Sequence, residues 1–166
     1  MKRLALAAAI AGLFAAPAFA QSNVTIYGRM NTTIEHIKVG DGKSEGQMVN
    51  NASRLGFKGS EDLGGGLKAN FLLEHRLGSD DGTVTGDFWS GDSWVGLSGD
   101  FGEVRLGRQT SAAYYATADY VSLHNHDTGT SADALYSLGF QSWATNNKIS
   151  YISPSFGGAV AEVQYG

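Results

Sequence analysis

The residues able to do chemistry in this chain are mostly charges, and few of them meet in the patterns that catalysis or metal binding requires. His124 and His126 flank Asn125 with the two-apart spacing of a ligand pair, but no third ligand follows at a recognisable distance. They read as a surface pair, and no metal is assigned. Gly64-Gly65-Gly66 follows Glu61 and Asp62 and lacks the Lys and Ser/Thr of a phosphate loop, so it reads as a turn. Ser, His and Asp all occur, yet no G-x-S-x-G element raises a nucleophile on a strand-to-helix elbow, and neither a catalytic residue nor a cofactor is assigned. What is left is fixed charge: Arg29, Arg54, Lys58, Glu74, Arg76, Arg105 and Arg108, followed by Asp119, Asp127 and Asp133. On a narrow water-filled passage such charges raise the local concentration of ions without making any bond. Whether they do so here depends on the face they occupy.

Composition narrows the classes. The 166 residues are 42% hydrophobic and 17% charged, with 23 glycines, 2 prolines and no cysteine, which excludes a disulfide scaffold and Cys-based metal sites. The net charge of −4 disfavours nucleic acid as a partner, the more so once Lys2 and Arg3 leave with the leader. That leader, Met1 to Ala20, has a basic start, an apolar stretch from Leu4 to Phe14, and Ala18-Phe19-Ala20 as a small-x-small cleavage site. It reads as a secretory signal peptide with maturation at Gln21, because its apolar stretch is too short for a membrane helix. Beyond Ala20 no apolar run approaches the roughly 18 residues of a transmembrane helix.

The elements that position the charges are strands. From Val24 to Glu35 the residues alternate with a period of two, giving one long amphipathic strand. Further strands are expected at about 52–60, 67–77, 89–98, 103–107, 148–153 and 159–165, each bounded by Gly, Asp, Ser or Pro clusters. The links alternate in length. Those at 61–66, 99–102 and 154–158 are tight, whereas those at 36–51, 78–88 and 108–147 are long. Short turns on one side and long loops on the other suit an outer-membrane barrel, in which closed backbone pairing removes the edges that lipid does not tolerate. Leu55 and Phe57 oppose Arg54 and Lys58, and Phe71 and Leu73 oppose Lys68, Asn70 and Glu74. In a barrel the apolar set faces lipid and the charged set faces water. The competing reading is a half-buried antiparallel sheet with its apolar face in a protein core.

Four stretches carry a family resemblance: "VTIYGRMNTTIE", "SRLGFKGSEDLGGGLKANFLLE", "SWVGLSGDFGEVRLGRQ" and "NNKISYISPSFGG". In order and spacing they resemble the Gram-negative general porins of the betaproteobacterial type, along essentially the whole chain. The resemblance implies an all-β fold, an antiparallel transmembrane β-barrel of about sixteen strands, usually trimeric, with a water-filled pore. Residues 21–166 are then expected to form its N-terminal part, about the first seven strands. A barrel of that size needs roughly 300 residues or more. The strand that closes such barrels at the C-terminus, with its terminal aromatic, is not among those expected here.

On this reading Arg29 and Arg54 lie near mid-height of adjacent strands with Lys58 lower on the same inward face, forming a basic arc. Glu74, Arg76 and Arg105 share the inward parity of their strands. Arg108 faces lipid unless a bulge or the strand end near Gly107 turns it inward. In the resembling porins the third long loop folds into the barrel, and residues 110–146 occupy its place as a candidate constriction. Asp119, Asp127 and Asp133 within it are expected to face the basic arc, and 131–140 to form a short helix. A mobile external loop is the alternative there. Gly91 stands where the resembling sequences often have an arginine, in "GDSWVGL", and Arg29 and Asn31 stand where apolar and acidic residues are frequent. The expected function is passive diffusion of ions and small hydrophilic solutes by a homotrimer in outer-membrane lipid, weakly anion-selective if Arg29, Arg54 and Lys58 dominate the narrowest point. The alternatives are an outer-membrane barrel enzyme and a surface β-protein or adhesin.

Overall fold

A computed structural model of the chain describes residues 23–38, 40–115 and 144–166. The leader, Asp119, His124, His126, Asp127, Asp133 and the helix expected at 131–140 lie outside the described residues.

Alternating side chains make this chain a set of antiparallel strands. They are β1 (Asn23–Arg29), β2 (Thr32–Ile37), β3 (Glu45–Asn50), β4 (Arg54–Gly64), β5 (Leu67–Arg76), β6 (Ser93–Gly99), β7 (Gly102–Thr110), β8 (Ala144–Ile152) and β9 (Glu162–Tyr165). Seven of them form one sheet in the order β1-β4-β5-β6-β7-β8-β9, while β2 and β3 pair only with each other. From β4 onward every neighbour in the sheet is the next strand in the chain, the up-and-down connectivity of a barrel wall. Among the described residues β1 pairs only with β4 and β9 only with β8, so the sheet is an open arc.

The β4–β5 turn is tight because Gly64, Gly65 and Gly66 all take positive φ, at 86°, 61° and 81°, a run that side chains would strain. The neighbouring Asp62 carboxylate accepts from the Gly64 amide at 2.8 Å.

Two expectations need correction. The strand from Val24 to Glu35 is two strands, because the chain leaves the sheet at Met30 and Asn31. The fully buried Ser53 causes the break: its hydroxyl accepts from Asn31 N at 2.9 Å, and the Asn51 amide donates to Asn31 O at 2.8 Å. The link at 36–51 is not a plain loop, since it carries β3, which pairs with β2 from Thr32↔Asn50 to Ile37↔Glu45. Strand limits also differ: β6 starts at Ser93 rather than Trp89, and β7 and β8 run further than expected, to Thr110 and from Ala144.

Burial is inverted relative to a soluble sheet. Among the described residues the buried apolar ones are Tyr114 and Ala144, whereas Ser53, Glu74, Gln109, Lys148 and Ser150 are all buried. Ile26 at 68%, Val95 at 59% and Val163 at 67% are exposed. These belong to cross-strand rows of one face, Ile26↔Phe57↔Leu73, Val24↔Gly59↔Phe71↔Val95↔Leu106↔Ile149 and Leu97↔Val104↔Tyr151↔Val163. A continuous exposed apolar face on long strands, with polar groups packed on the other, is the arrangement of a lipid-facing wall. It overturns the half-buried soluble sheet, which would bury the apolar face. No helix among the described residues is long and apolar enough to cross a membrane; the crossing elements are strands.

At one end of the apolar face Phe57, His75, Phe88 and Trp89 cluster, with Trp89 edge-on to Phe88 at 4.9 Å between centroids. Such a group suits the membrane–water boundary, where aromatic girdles sit.

Candidate pore wall

Antiparallel register turns same-parity residues into rows across the wall. On the polar face the last row beside the long links is Arg29↔Arg54↔Arg76, from β1, β4 and β5. Three guanidiniums thus stand side by side, including Arg76, which parity alone could not align with the other two. The row ends β1 and β5 and begins β4, so it lies at the strand ends rather than at the mid-height expected of Arg29 and Arg54.

Like charges in one row repel, and the next row supplies the counter-charge. Its members are Tyr27↔Gly56↔Glu74. The Glu74 carboxylate is 2.9 Å from Arg76 and 3.9 Å from Arg54. Its other oxygen accepts from the Tyr27 hydroxyl at 2.9 Å. Glu74 is only 8% exposed, so these bonds replace water on a buried carboxylate. Tyr27 reaches it by crossing β4 at Gly56, where a Cβ would collide with the phenol ring. Gly91 is likewise a close approach, since a Cβ there would press on the Glu74 side chain. The missing side chain at Gly91 leaves the room that Glu74 fills.

The remaining predicted charges distribute as follows. Lys58 lies four residues along β4 from Arg54 on the same face, exposed, with its ammonium 5.5 Å from the Tyr27 ring centroid. Arg105 is on the same face in the row Asn70↔Gly96↔Arg105↔Ser150, paired with Glu103 at 2.6 Å and lying over Trp94 at 4.5 Å. Asn70 also donates to Glu103, at 3.0 Å. The structure does not bring Arg108 into the basic row. A bulge is present beside Gly107, but its extra residue is in β8, where Asn146 and Asn147 oppose Arg108 and Asn147 takes a φ of 55°. The alternation of β7 is therefore unchanged, and Arg108 pairs with Ser93 at the parity of Leu106. Its guanidinium donates to the carbonyls of Ser90 and Gly91 at 3.1 and 3.0 Å and to Asn146 at 2.7 Å.

Sequence reasoning missed Tyr27, Gln109, Lys148, Ser150 and Gln164 on the polar face and Asp92 and Thr110 at its edge. Parity assigns Tyr27 to the face of Arg29, and Gly56 in the neighbouring strand was the signal that its ring could cross. The polar residues of β8 and β9 alternate too, but nothing local marks them for burial. Beyond Thr110 the chain turns onto the polar face: residues 112–115 form a helical turn whose first amide, that of Ala112, donates to Gln164 of β9 at 3.1 Å.

This geometry has counterparts among known proteins. A family model for the Gram-negative porin matches residues 5–166. Outer membrane porin protein 32 of Delftia acidovorans is 37% identical over 180 residues, covering 99% of this chain and 49% of that protein. Major outer membrane protein P.IB of Neisseria lactamica is 33% identical over 176 residues, covering 99% of this chain and 50% of that protein. The chain spans about half the length of the curated relatives it matches. Among solved structures, an anion-selective porin from Comamonas acidovorans aligns with a TM-score of 0.69 at 32% identity, over 87% of this chain and 46% of that one. OmpT of Vibrio cholerae, in a trimer form, shares the fold with a TM-score of 0.62 at 16% identity, over 87% of this chain and 41% of that one.

Proposed function

Given that this chain belongs to the Gram-negative porin family and is an outer-membrane protein, we propose that the whole protein is a general-diffusion channel. It passes ions and small hydrophilic solutes passively through a water-filled pore, with a weak preference for anions, and works as a homotrimer. The observation that carries this reading is the inverted wall, with its apolar face exposed and its polar face packed with buried charge. A wall of that kind needs lipid on one side and water on the other.

Within the reading, residues 21–166 are the N-terminal part of the barrel after loss of the leader. The row Arg29, Arg54 and Arg76, with Lys58 beyond it, is the basic side of the narrow point, and Glu74 holds it together. Residues 110–146 form the constriction, and Asp119, Asp127 and Asp133 give the opposite side of the field. The turn of the chain onto the polar face at 112–115 supports that assignment of the segment. The anion preference is supported by the three adjacent guanidiniums and by the 32% identity with a porin described as anion-selective. Arg108, bound to backbone carbonyls at the parity of Leu106, contributes less to the pore than Arg54. A barrel enzyme is not favoured, because Glu74, a buried carboxylate of the wall, is committed to Arg76 and Tyr27.

The test is conductance of the whole protein in planar bilayers. Stepwise ohmic increments are expected, and a heat-modifiable, folded trimer that stays electrically silent overturns the reading.

A further inference from the structure

At Thr110 the chain leaves the wall, and side chains from two different places in the sheet hold both of its backbone polar groups. On one side β6 no longer pairs with β7 beyond Ser93↔Arg108. The Asp92 carboxylate takes over there, one oxygen accepting from Thr110 N at 2.6 Å and from Thr110 Oγ1 at 2.9 Å. On the other side Gln164 of β9 donates from Nε2 to Thr110 O at 3.4 Å, while its Oε1 accepts from Ala112 N at 3.1 Å. That same Oε1 accepts from Lys148 Nζ at 3.1 Å, and Lys148 also donates to Gln109 O at 3.2 Å. Thr110, Gln109 and Lys148 are buried, so each of these backbone groups would be costly to leave unmet.

We infer that Asp92 and Gln164, with Lys148 bracing Gln164, are positioning residues for permeation: they fix the point and direction at which the chain turns off the wall onto its polar face. The inference rests on the porin reading and deepens it. A backbone held from two sides has one exit direction and so one pore cross-section. Releasing either side lets the turn open and gives the pore more than one level.

The experiment uses the whole protein with Asp92→Ala, Asp92→Asn and Gln164→Met, each checked for heat-modifiable folding and recorded as single channels at fixed voltage. Asp92→Ala and Gln164→Met are expected to raise the frequency of closures to sublevels about tenfold, the effect of losing roughly one net hydrogen bond. Asp92→Asn keeps an acceptor for Thr110 and is expected to behave as wild type. Folded variants with wild-type closure frequency overturn the inference. The second measurement needs no variant: amide exchange at Thr110 and Ala112 in the unmodified protein is expected to be protected at least about 100-fold, as closed hydrogen bonds require. Exchange at the rate of a free loop overturns the clamp. An electrically silent wild type overturns the porin reading and the permeation role with it, and is told apart because protection at Thr110 persists.

Discussion

Tyr27 and Glu74 meet across an intervening strand: the phenol of β1 passes over Gly56 of β4 and donates to the carboxylate of β5 at 2.9 Å. Three strands are thereby tied on the polar face by a bond that no two adjacent strands could make alone. The contact also settles which glycine matters, since a side chain at position 56 would occupy the space of the ring.

Replacing Gly56 by leucine is expected to push the Tyr27 ring away from Glu74 and to destabilise the folded barrel by about 1–3 kcal/mol, the usual cost of overpacking. The temperature at which the folded form converts to the unfolded one in detergent gels measures it. An unchanged conversion temperature would mean that the ring has another place to go.

Glu74 is expected to act on both stability and selectivity. Glu74→Gln keeps an acceptor for Tyr27 but removes the charge beside Arg76, so the reversal potential should move further toward anions, with a loss of stability smaller than that of Glu74→Ala. Glu74→Ala leaves the phenol and the guanidinium short of an acceptor and should cost about 1–3 kcal/mol. Equal thermal stability of the two variants would contradict this division of roles.

The face assignment is open to direct labelling, helped by the absence of native cysteine. Single cysteines at Ile26, Leu55, Phe57, Phe71, Leu73, Val95 and Leu97 should react with a bilayer-restricted probe, and cysteines at Arg54 and Lys58 with a water-soluble one. A one-residue shift of register would exchange the two sets.

Outside the membrane, the link between β5 and β6 is held by Asp81, whose carboxylate accepts from Thr83 N at 2.9 Å and Thr83 Oγ1 at 2.7 Å. The Thr83 backbone bond, and then its hydroxyl, hold the Asp81 carboxyl below the usual carboxylate range. A depressed carboxyl favours the ordered turn above its ordinary value and loses that contribution as pH falls through the lowered one. The Thr83 amide shift should therefore stay constant near neutral pH and titrate with a midpoint below the ordinary aspartate value. A midpoint at or above the ordinary value for aspartate would contradict the bond.

Much of this was legible locally. The period of two assigns Leu55, Phe57, Phe71 and Leu73 to one face and Arg54, Lys58 and Glu74 to the other, and the glycine run at 64–66 marks its turn. The break at Asn31 was not, because alternation continues unchanged through Ile34 and Glu35. What interrupts the strand is the hydroxyl of Ser53, 22 residues away. Alignment of Arg76 with Arg29 and Arg54 needed the register, which depends on where the Asp62/Gly64 irregularity falls in the turn. Asp92, Lys148 and Gln164 carry no local signal, since each matters only through a backbone group contributed by another strand.

The most direct measurement of the central claim, that the polar face is the wall of a water-filled pore and the arginine row the basic side of its narrow point, is the reversal potential of Arg54→Glu channels in a salt gradient. At low salt the potential is expected to move toward cations relative to wild type. The difference should fade near 1 M salt, where the Debye length falls to about 3 Å. Folded Arg54→Glu channels that conduct with wild-type selectivity at low salt would contradict the claim.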